Sequence, residues 1–385
     1  MKKIWPFLFY FCQYAGVAFM MPFVVLYYQK IGFTGTQIGL LAGLSPVITL
    51  FSAPFWTGLA DATHRHRLIM SFTLFGGSLV IFAFPFFSSF GVILFIVLLS
   101  TMFFAPISAL ADSATISMLG NERNLYGRLR LGGTIGFAIA APIAGYLVQN
   151  EGLKMAFWGC TVMYLLAFMF SLKFTHQSGK TVNEEQSSLI KGIQILIKSP
   201  MWVIFLFTAL AGGFAMSSYS NYFLPYMREM GASESTMGLA LSLGTVCEVP
   251  VLFFGNQLLG YFKPFRLFLL TLLIAGIRLI LFSVATTSNQ ALLIQTLNGL
   301  TFPAMWMAGV AFVGEHAPSG MSATAQGILS ATVFGVGASL GGFLGGNLLG
   351  IVGAKEMYLI FGIITMFVAV IISLMAKQRP QLFLN

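Results

Sequence analysis

Charged side chains are too scarce in this sequence to cover the surface of a water-soluble protein. Only 8% of the 385 residues are charged, while 57% are hydrophobic. A soluble domain has about a quarter of its residues charged. The apolar residues form long continuous runs, which are typical of membrane helices and unlike the short alternating segments of a membrane barrel. The sequence therefore predicts an all-α integral membrane protein.

The apolar runs are each close to the roughly 20 residues that a membrane helix needs. They lie at about residues 4–28, 36–60, 68–87, 90–118, 128–149, 155–172, 201–226, 235–258, 267–286, 289–313, 321–349 and 357–376. The longest polar stretch separates the first six runs from the last six. We therefore predict an N-terminal six-helix bundle over residues 1–173, a cytoplasmic linker over residues 174–200, and a C-terminal six-helix bundle over residues 201–385. Within the linker, Leu189–Ile197 is expected to form a short amphipathic surface helix.

The net charge of +9 indicates membrane topology and not a nucleic-acid partner. With the N-terminus in the cytoplasm, most Lys and Arg residues fall in cytoplasmic loops, as the positive-inside rule requires. The external loops then receive only Lys30, Lys154, Arg228 and Lys355. We expect both termini in the cytoplasm and a multi-pass protein of the bacterial cytoplasmic (inner) membrane.

The two halves of the chain share a short internal repeat. The segment GFTGTQIGL at Gly32–Leu40 reappears as GASESTMGL at Gly231–Leu239, 199 residues later. Both copies cover an external turn and the start of an even-numbered span, although a chance likeness between two turn-plus-helix segments is the alternative. Two pseudo-symmetric six-helix bundles are the architecture of transporters that rock around a midplane binding site.

Two charged residues fall within or at the edge of the N-terminal spans, and such residues are functional candidates because burying charge in a membrane is costly. Asp112 and Arg130 are each nine residues from Asn121, the tip of a hairpin. Antiparallel helices therefore set them at similar depth, where they can form an ion pair. A fixed salt bridge that locks the hairpin is the structural alternative to a role in binding or proton exchange.

The C-terminal half carries a second pair, Glu248 and Arg278, about 12 and 18 residues from a turn near Gly260. This mismatch corresponds to roughly 9 Å along a helix, so direct pairing is less expected than for Asp112 and Arg130. A buried carboxyl group without a partner favours its protonated form, which suits a proton carrier, although a permanently neutral side chain is the alternative. The polar residues Gln295 and Asn298 also fall within a span.

The turn between the second and third runs resembles the loop that the major facilitator superfamily carries at this place. It reads TGLADATHRHR from Thr57 to Arg67, and Asp61 and Arg65 match the glycine–aspartate–arginine motif. Thr57 and His64 replace its two glycines. The resemblance implies that Asp61 and Arg65 form a conformational latch.

A narrower resemblance is to the lactose-permease and phenylpropionate-permease-like branch of proton symporters. It rests on FFAP at Phe103–Pro106, LADS at Leu110–Ser113 and YGRLR at Tyr126–Arg130. In the sugar permeases an acidic residue and an arginine with this 18-residue spacing contact the substrate. Arg278 matches an arginine of their ninth span, and Glu248 lies about one turn from their eighth-span carboxylate.

The tenth span departs from the sugar permeases. Aligned on Pro303, the chain has Gln295, Asn298 and Thr301 where they carry a Lys–His–Glu set that handles the proton. If protons drive transport, Asp112 or Glu248 must carry them; otherwise the protein is a uniporter.

These observations predict a secondary active transporter that imports a small organic solute, such as a sugar, nucleoside or aromatic acid, together with protons by alternating access. A proton-antiporting drug or metabolite exporter is the alternative, because Gly136 to Gly145 loosely resembles the exporters' glycine–proline motif. No nucleophile–base pair or metal cluster is apparent, so we expect no enzyme activity, no catalytic residues, no metal and no cofactor. The expected partners are the solute, protons and the lipid bilayer, without nucleic acid, and the expected state is a monomer.

Overall fold

The structure is a computed structural model that describes residues 4–120, 122, 125–174, 196, 198–318 and 321–378. Within these residues, 12 helical segments are long and apolar enough to cross a membrane, which confirms the predicted all-α architecture. We number them as spans 1 to 12 in chain order: Ile4–Lys30, Gly35–Thr63, His66–Phe86, Phe90–Leu119, Tyr126–Glu151, Lys154–Ser171, Pro200–Glu229, Glu234–Phe253, Pro264–Val284, Ser288–His316, Thr324–Val352 and Ala354–Lys377. The predicted amphipathic helix at Leu189–Ile197 lies outside the described residues, apart from Leu196.

The chain divides into two compact units. The first contains Met1–Thr181 together with Gly231–Ser242, and the second contains Val182–Met230 together with Leu243–Asn385. The first turns of span 8 are thus grouped with spans 1 to 6. The boundaries at residues 173 and 201 stay a prediction from the sequence.

Several spans are interrupted, and prolines explain part of this. Pro22 follows the first helix of span 1, and Pro106 precedes the second helix of span 4; proline lacks the N–H that a continuous helix needs. The broken spans consist of helices Ile4–Met20 and Val24–Lys30 in span 1, Phe90–Phe104 and Ile107–Leu119 in span 4, Ser288–Gln295 and Phe302–His316 in span 10, and Ser322–Ser330 and Ala338–Val352 in span 11. A 3₁₀ turn at Thr296–Leu300 joins the parts of span 10, and a π-helix at Ala331–Gly337 joins those of span 11.

The two copies of the sequence repeat adopt similar local structure. Gly32 and Gly231 both have positive φ, at 84° and 73°, a conformation that glycine adopts without steric cost. Two residues later, the Thr34 hydroxyl accepts a hydrogen bond from the backbone N–H of Gln37, and the Ser233 hydroxyl accepts one from that of Thr236. Each turn therefore ends in a side-chain helix cap.

Glycines let the first and fifth spans approach each other closely. A Cβ atom on Gly136 would lie 2.2 Å from the Phe11 carbonyl oxygen, and one on Gly132 would lie 2.5 Å from that of Phe7. Small residues at helix contacts allow such backbone proximity in membrane proteins. The contact holds the polar face of span 1 against the start of span 5.

Candidate functional site

The first unit brings together Asp112 and Arg130, as their spacing from the hairpin tip predicts. Asp112 lies on the helix Ile107–Leu119 of span 4, and Arg130 lies near the start of span 5. Arg130 Nε is 3.7 Å from Asp112 Oδ1, and about a third of each side chain is exposed. The pair is thus neutral in sum but still accessible to a polar ligand.

Two tyrosines of span 1 complete this first arginine site. Tyr10 donates a 2.6 Å hydrogen bond to Asp112 Oδ1, and Arg130 donates a 2.5 Å hydrogen bond to the Tyr14 hydroxyl. The Arg130 guanidinium also lies 5.1 Å from the ring centre of Tyr10 and 4.8 Å from that of Tyr14, within the range of cation–π attraction. A Cβ atom on Gly133 would lie 2.8 Å from the Tyr14 ring, so the glycine face of span 5 makes room for this tyrosine.

The second unit holds Arg278 in a site built largely from the break in span 10. Arg278 donates hydrogen bonds to Asn298 Oδ1 at 2.8 Å, to Thr301 Oγ1 at 3.0 Å, and to Gln295 Oε1. Gln295 ends the first helix of span 10, Asn298 lies in the 3₁₀ turn, and Thr301 separates this turn from the helix Phe302–His316. In a regular α-helix, side chains three residues apart point about 60° away from each other, whereas in a 3₁₀ turn they point in the same direction. The interruption therefore helps to bring all three side chains to one guanidinium.

Glu248 is linked to this cluster through Asn298. The Asn298 amide nitrogen donates to Glu248 Oε1 at 2.7 Å and to the Gly244 carbonyl at 3.2 Å, while its oxygen accepts from Arg278. Among the described residues no ion pair joins Glu248 to Arg278 directly, in agreement with their unequal depth. Close backbone packing places Asn298 here, because a Cβ atom on the neighbouring Gly299 would lie 2.2 Å from the Cys247 carbonyl oxygen.

Aromatic rings cover Arg278 as they cover Arg130. The Arg278 guanidinium lies 4.3 Å from the ring centre of Tyr219 and 5.4 Å from that of Phe282. Gln295 donates a 2.8 Å hydrogen bond to the Tyr219 hydroxyl. Each unit therefore places one arginine beside a tyrosine from its own first span, span 1 or span 7.

The two arginine sites differ in accessibility and in charge balance. Arg278 is only 4% exposed, and its contacts in the described part of the chain are neutral oxygens. Its Nε atom is buried without a hydrogen-bond partner among the described residues. Because a buried charge is costly unless it is compensated, the carboxylate of Glu248, one amide away, is the group that can balance Arg278. Adding or removing a proton at Glu248 would therefore change the electrostatic state of the whole cluster.

The turn that resembles the family latch places Asp61 against His66 instead of Arg65. Asp61 Oδ1 lies 2.7 Å from His66 Nε2, and Arg65 is exposed. His64, which replaces a glycine of the motif, has a φ of 54°. Glycine adopts this left-handed conformation without steric cost, so the glycine of the motif would also fit at this position.

Tyr10, Tyr219 and Phe282 are site residues that the sequence does not reveal. The chain contains 12 Tyr and 40 Phe residues, and nothing in their spacing separates those beside an arginine from those that face lipid. Tyr14 carries a weak signal, because it follows Gln13 within an apolar run.

Comparison with known proteins places the chain among transporters. The model of the MFS_1 like family matches residues 5–360. The uncharacterized transporter YwbF of Bacillus subtilis is 26% identical, with 93% of this chain and 89% of YwbF covered. The maltose permease of Geobacillus stearothermophilus is 24% identical, with 98% and 95% covered. The crystal structure of the nucleoside transporter NupG superposes with a TM-score of 0.87 at 18% identity, covering 98% of this chain and 99% of NupG, which supports the fold.

Proposed function

This chain belongs to the MFS_1 like family and is a multi-pass membrane transporter of small solutes, not an enzyme; we propose that it imports a sugar, a nucleoside or an aromatic acid together with protons. Transport would proceed by alternating access across the bacterial cytoplasmic membrane. The protein would act as a monomer, with one six-helix bundle before residue 174 and one after residue 200.

The observation that carries this proposal is the accessible site formed by Asp112, Arg130 and Tyr14. A carboxylate and a guanidinium, each about one-third exposed, offer an acceptor and several donors for hydroxyl or carboxylate groups. The half-buried ring of Tyr14 offers an aromatic surface. Hydroxylated or aromatic solutes match this chemistry, and the names of two similar proteins, a maltose permease and a nucleoside transporter, support the same classes.

We assign the transported proton to Glu248 in preference to Asp112. Asp112 lies 3.7 Å from Arg130 and accepts a hydrogen bond from Tyr10, so its carboxyl group already has direct partners within the first arginine site. Glu248 contacts the neutral amide of Asn298, and its charge is balanced by Arg278 only across that amide. Protonating Glu248 would leave Arg278 uncompensated, so the hydrogen bonds that Gln295 and Asn298 make with Arg278 would change.

The turn after span 2 would act as the conformational latch. Asp61 and Arg65 retain the charges of the family motif, and the 2.7 Å contact of Asp61 adds His66 to the set. We propose that breaking and remaking the contacts of Asp61 accompanies the change of access.

A ligand screen followed by a transport assay tests the proposed function. A solute that binds the folded protein raises its melting temperature, so purified protein is heated with sugars, nucleosides and aromatic acids in turn. A stabilising solute is then assayed in proteoliposomes with an imposed proton gradient. Movement of solute in the same direction as the protons supports import. Movement of solute in the opposite direction supports the exporter and contradicts the proposal.

A further inference from the structure

A cavity of about 560 Å³ opens at the start of span 3, away from both arginine sites. Its lining consists of residues 64–68 together with Ser71 and Leu172. Four of these consecutive residues are His64, Arg65, His66 and Arg67. The cavity lies wholly within the first unit.

The charge around this cavity is predominantly positive. Arg65, Arg67 and the adjacent Lys173 are exposed, while Asp61 is engaged with His66 at 2.7 Å. Arg67 donates one hydrogen bond to the Leu172 carbonyl, which fixes its guanidinium at the cavity wall and leaves other N–H groups available. The cavity therefore favours an anion.

Neutral donors reinforce this preference. Ser71 Oγ is buried and has no hydrogen-bond partner in the described part of the chain. The helix His66–Ala83 begins here, and its N-cap residue, Arg65, makes no side-chain cap. The positive end of the helix dipole therefore points towards the cavity.

An exposed apolar stripe continues from the cavity along span 3. Leu68 lines the cavity and is itself exposed, and the same face carries Phe72, Phe75, Leu79 and Phe82, all exposed. Their spacing of three and four residues sets them on one side of the helix. A ligand that combines a phosphate group with long apolar chains would fill both features.

We propose that this cavity and stripe bind one anionic phospholipid, with its phosphate against Arg67, Ser71 and the first turn of span 3. The acyl chains lie along the stripe from Leu68 to Phe82. Basic pockets at the ends of membrane helices bind anionic headgroups by the same physics. The site is separate from Asp112 and Arg130, so it is independent of the proposed solute.

Native mass spectrometry of the purified protein tests this site. Protein in detergent is supplied with equal amounts of phosphatidylglycerol and phosphatidylcholine, and the ratio of bound phosphatidylglycerol to bound phosphatidylcholine is measured. One cation near the headgroup changes affinity for an anionic lipid by roughly fivefold, so Arg67→Gln should lower the ratio by about that factor. Arg266→Gln is the matched control, because Arg266 is exposed in the first turn of span 9, and it should leave the ratio unchanged.

A second pair of variants tests the site with substitutions that are both expected to fold. His64 is exposed and has positive φ, a conformation that Asp and Asn tolerate, so both His64→Asp and His64→Asn should fold. The Asp variant should abolish the preference for phosphatidylglycerol, whereas the Asn variant should keep it. Equal binding of the two lipids by the unmodified protein, or equal ratios in the two His64 variants, would overturn the proposal. Displacement of the lipid by inorganic phosphate would overturn it in favour of a soluble phosphate ligand.

Discussion

The Asn298 side chain donates a 2.7 Å hydrogen bond to Glu248 from its amide nitrogen and accepts one of 2.8 Å from Arg278 at its amide oxygen. One neutral side chain thus holds a carboxylate and a guanidinium that make no direct contact. A change in charge at either end alters the hydrogen bond at the other, because the amide must orient its donor and acceptor together. This relationship is the basis for assigning the proton to the second unit.

Replacing Asn298 tests whether this amide holds the cluster together. Asn298→Leu removes a donor to Glu248 and an acceptor from Arg278, and each buried polar group left without its partner costs about 1–3 kcal/mol. We expect a clearly lower melting temperature in detergent. Asn256→Leu is the control, because Asn256 is exposed. Equal melting temperatures for the two variants would show that the amide link does not stabilise the fold.

The ion pair of the first unit should be essential for transport. Asp112→Asn and Arg130→Gln each remove a charge that we propose contacts the solute, and a hydrogen bond to a charged group contributes about 1.5–3 kcal/mol. We expect each variant to reduce solute uptake by at least about tenfold while the protein stays folded in the membrane. Arg128→Gln, an exposed change in the same span, should transport normally. Normal uptake by both site variants would exclude this pair from the substrate site.

The Tyr10 hydroxyl should act by positioning Asp112. Tyr10→Phe keeps the ring beside Arg130 and removes the 2.6 Å hydrogen bond to the carboxylate, together with a longer contact of 3.3 Å with the Thr115 hydroxyl. A hydrogen bond to a charged group contributes about 1.5–3 kcal/mol, so the KM for the solute should rise by roughly tenfold. Tyr146→Phe changes an exposed tyrosine and should leave KM unaltered. An unchanged KM in Tyr10→Phe would mean that the carboxylate is held without this hydroxyl.

Close packing of spans 1 and 5 should depend on Gly136. The added methyl group of Gly136→Ala would lie 2.2 Å from the Phe11 carbonyl oxygen, and overpacking of this kind costs about 1–3 kcal/mol. We expect a lower melting temperature and weaker transport, because Tyr10 and Tyr14 move away from Arg130. Gly127→Ala is the matched control in the same helix, with no atom within 4 Å of the added carbon. Similar stability of the two variants would contradict this account of the packing.

The sequence predicts most of the fold, because each membrane span requires a long apolar run that is visible in the sequence. Apolar runs give all 12 spans, and equal distances from a hairpin tip predict the contact of Asp112 with Arg130. The sequence also predicts that Glu248 and Arg278 differ in depth. It does not predict that Asn298 joins them, because that link depends on the irregular backbone of span 10 between Gln295 and Thr301.

The aromatic part of each arginine site is also hidden in the sequence. Tyr10 and Tyr219 lie in apolar runs among many other aromatic residues, and only the packing of neighbouring helices selects them. The latch turn shows a related limit. The resemblance implies Asp61 and Arg65, and the structure adds a contact of Asp61 with His66 that the motif does not indicate.

Proton movement in the Glu248→Gln variant is the sharpest test of whether Glu248 carries the transported proton. Proteoliposomes containing a pH-sensitive dye are mixed with the solute that the ligand screen identifies, and proton entry is recorded alongside counterflow exchange of labelled solute. We expect solute-driven proton entry in the unmodified protein. In Glu248→Gln we expect no such entry while counterflow continues, since glutamine keeps an acceptor for Asn298 but cannot take up a proton. Persistent solute-driven proton entry in Glu248→Gln would show that Glu248 does not carry the proton.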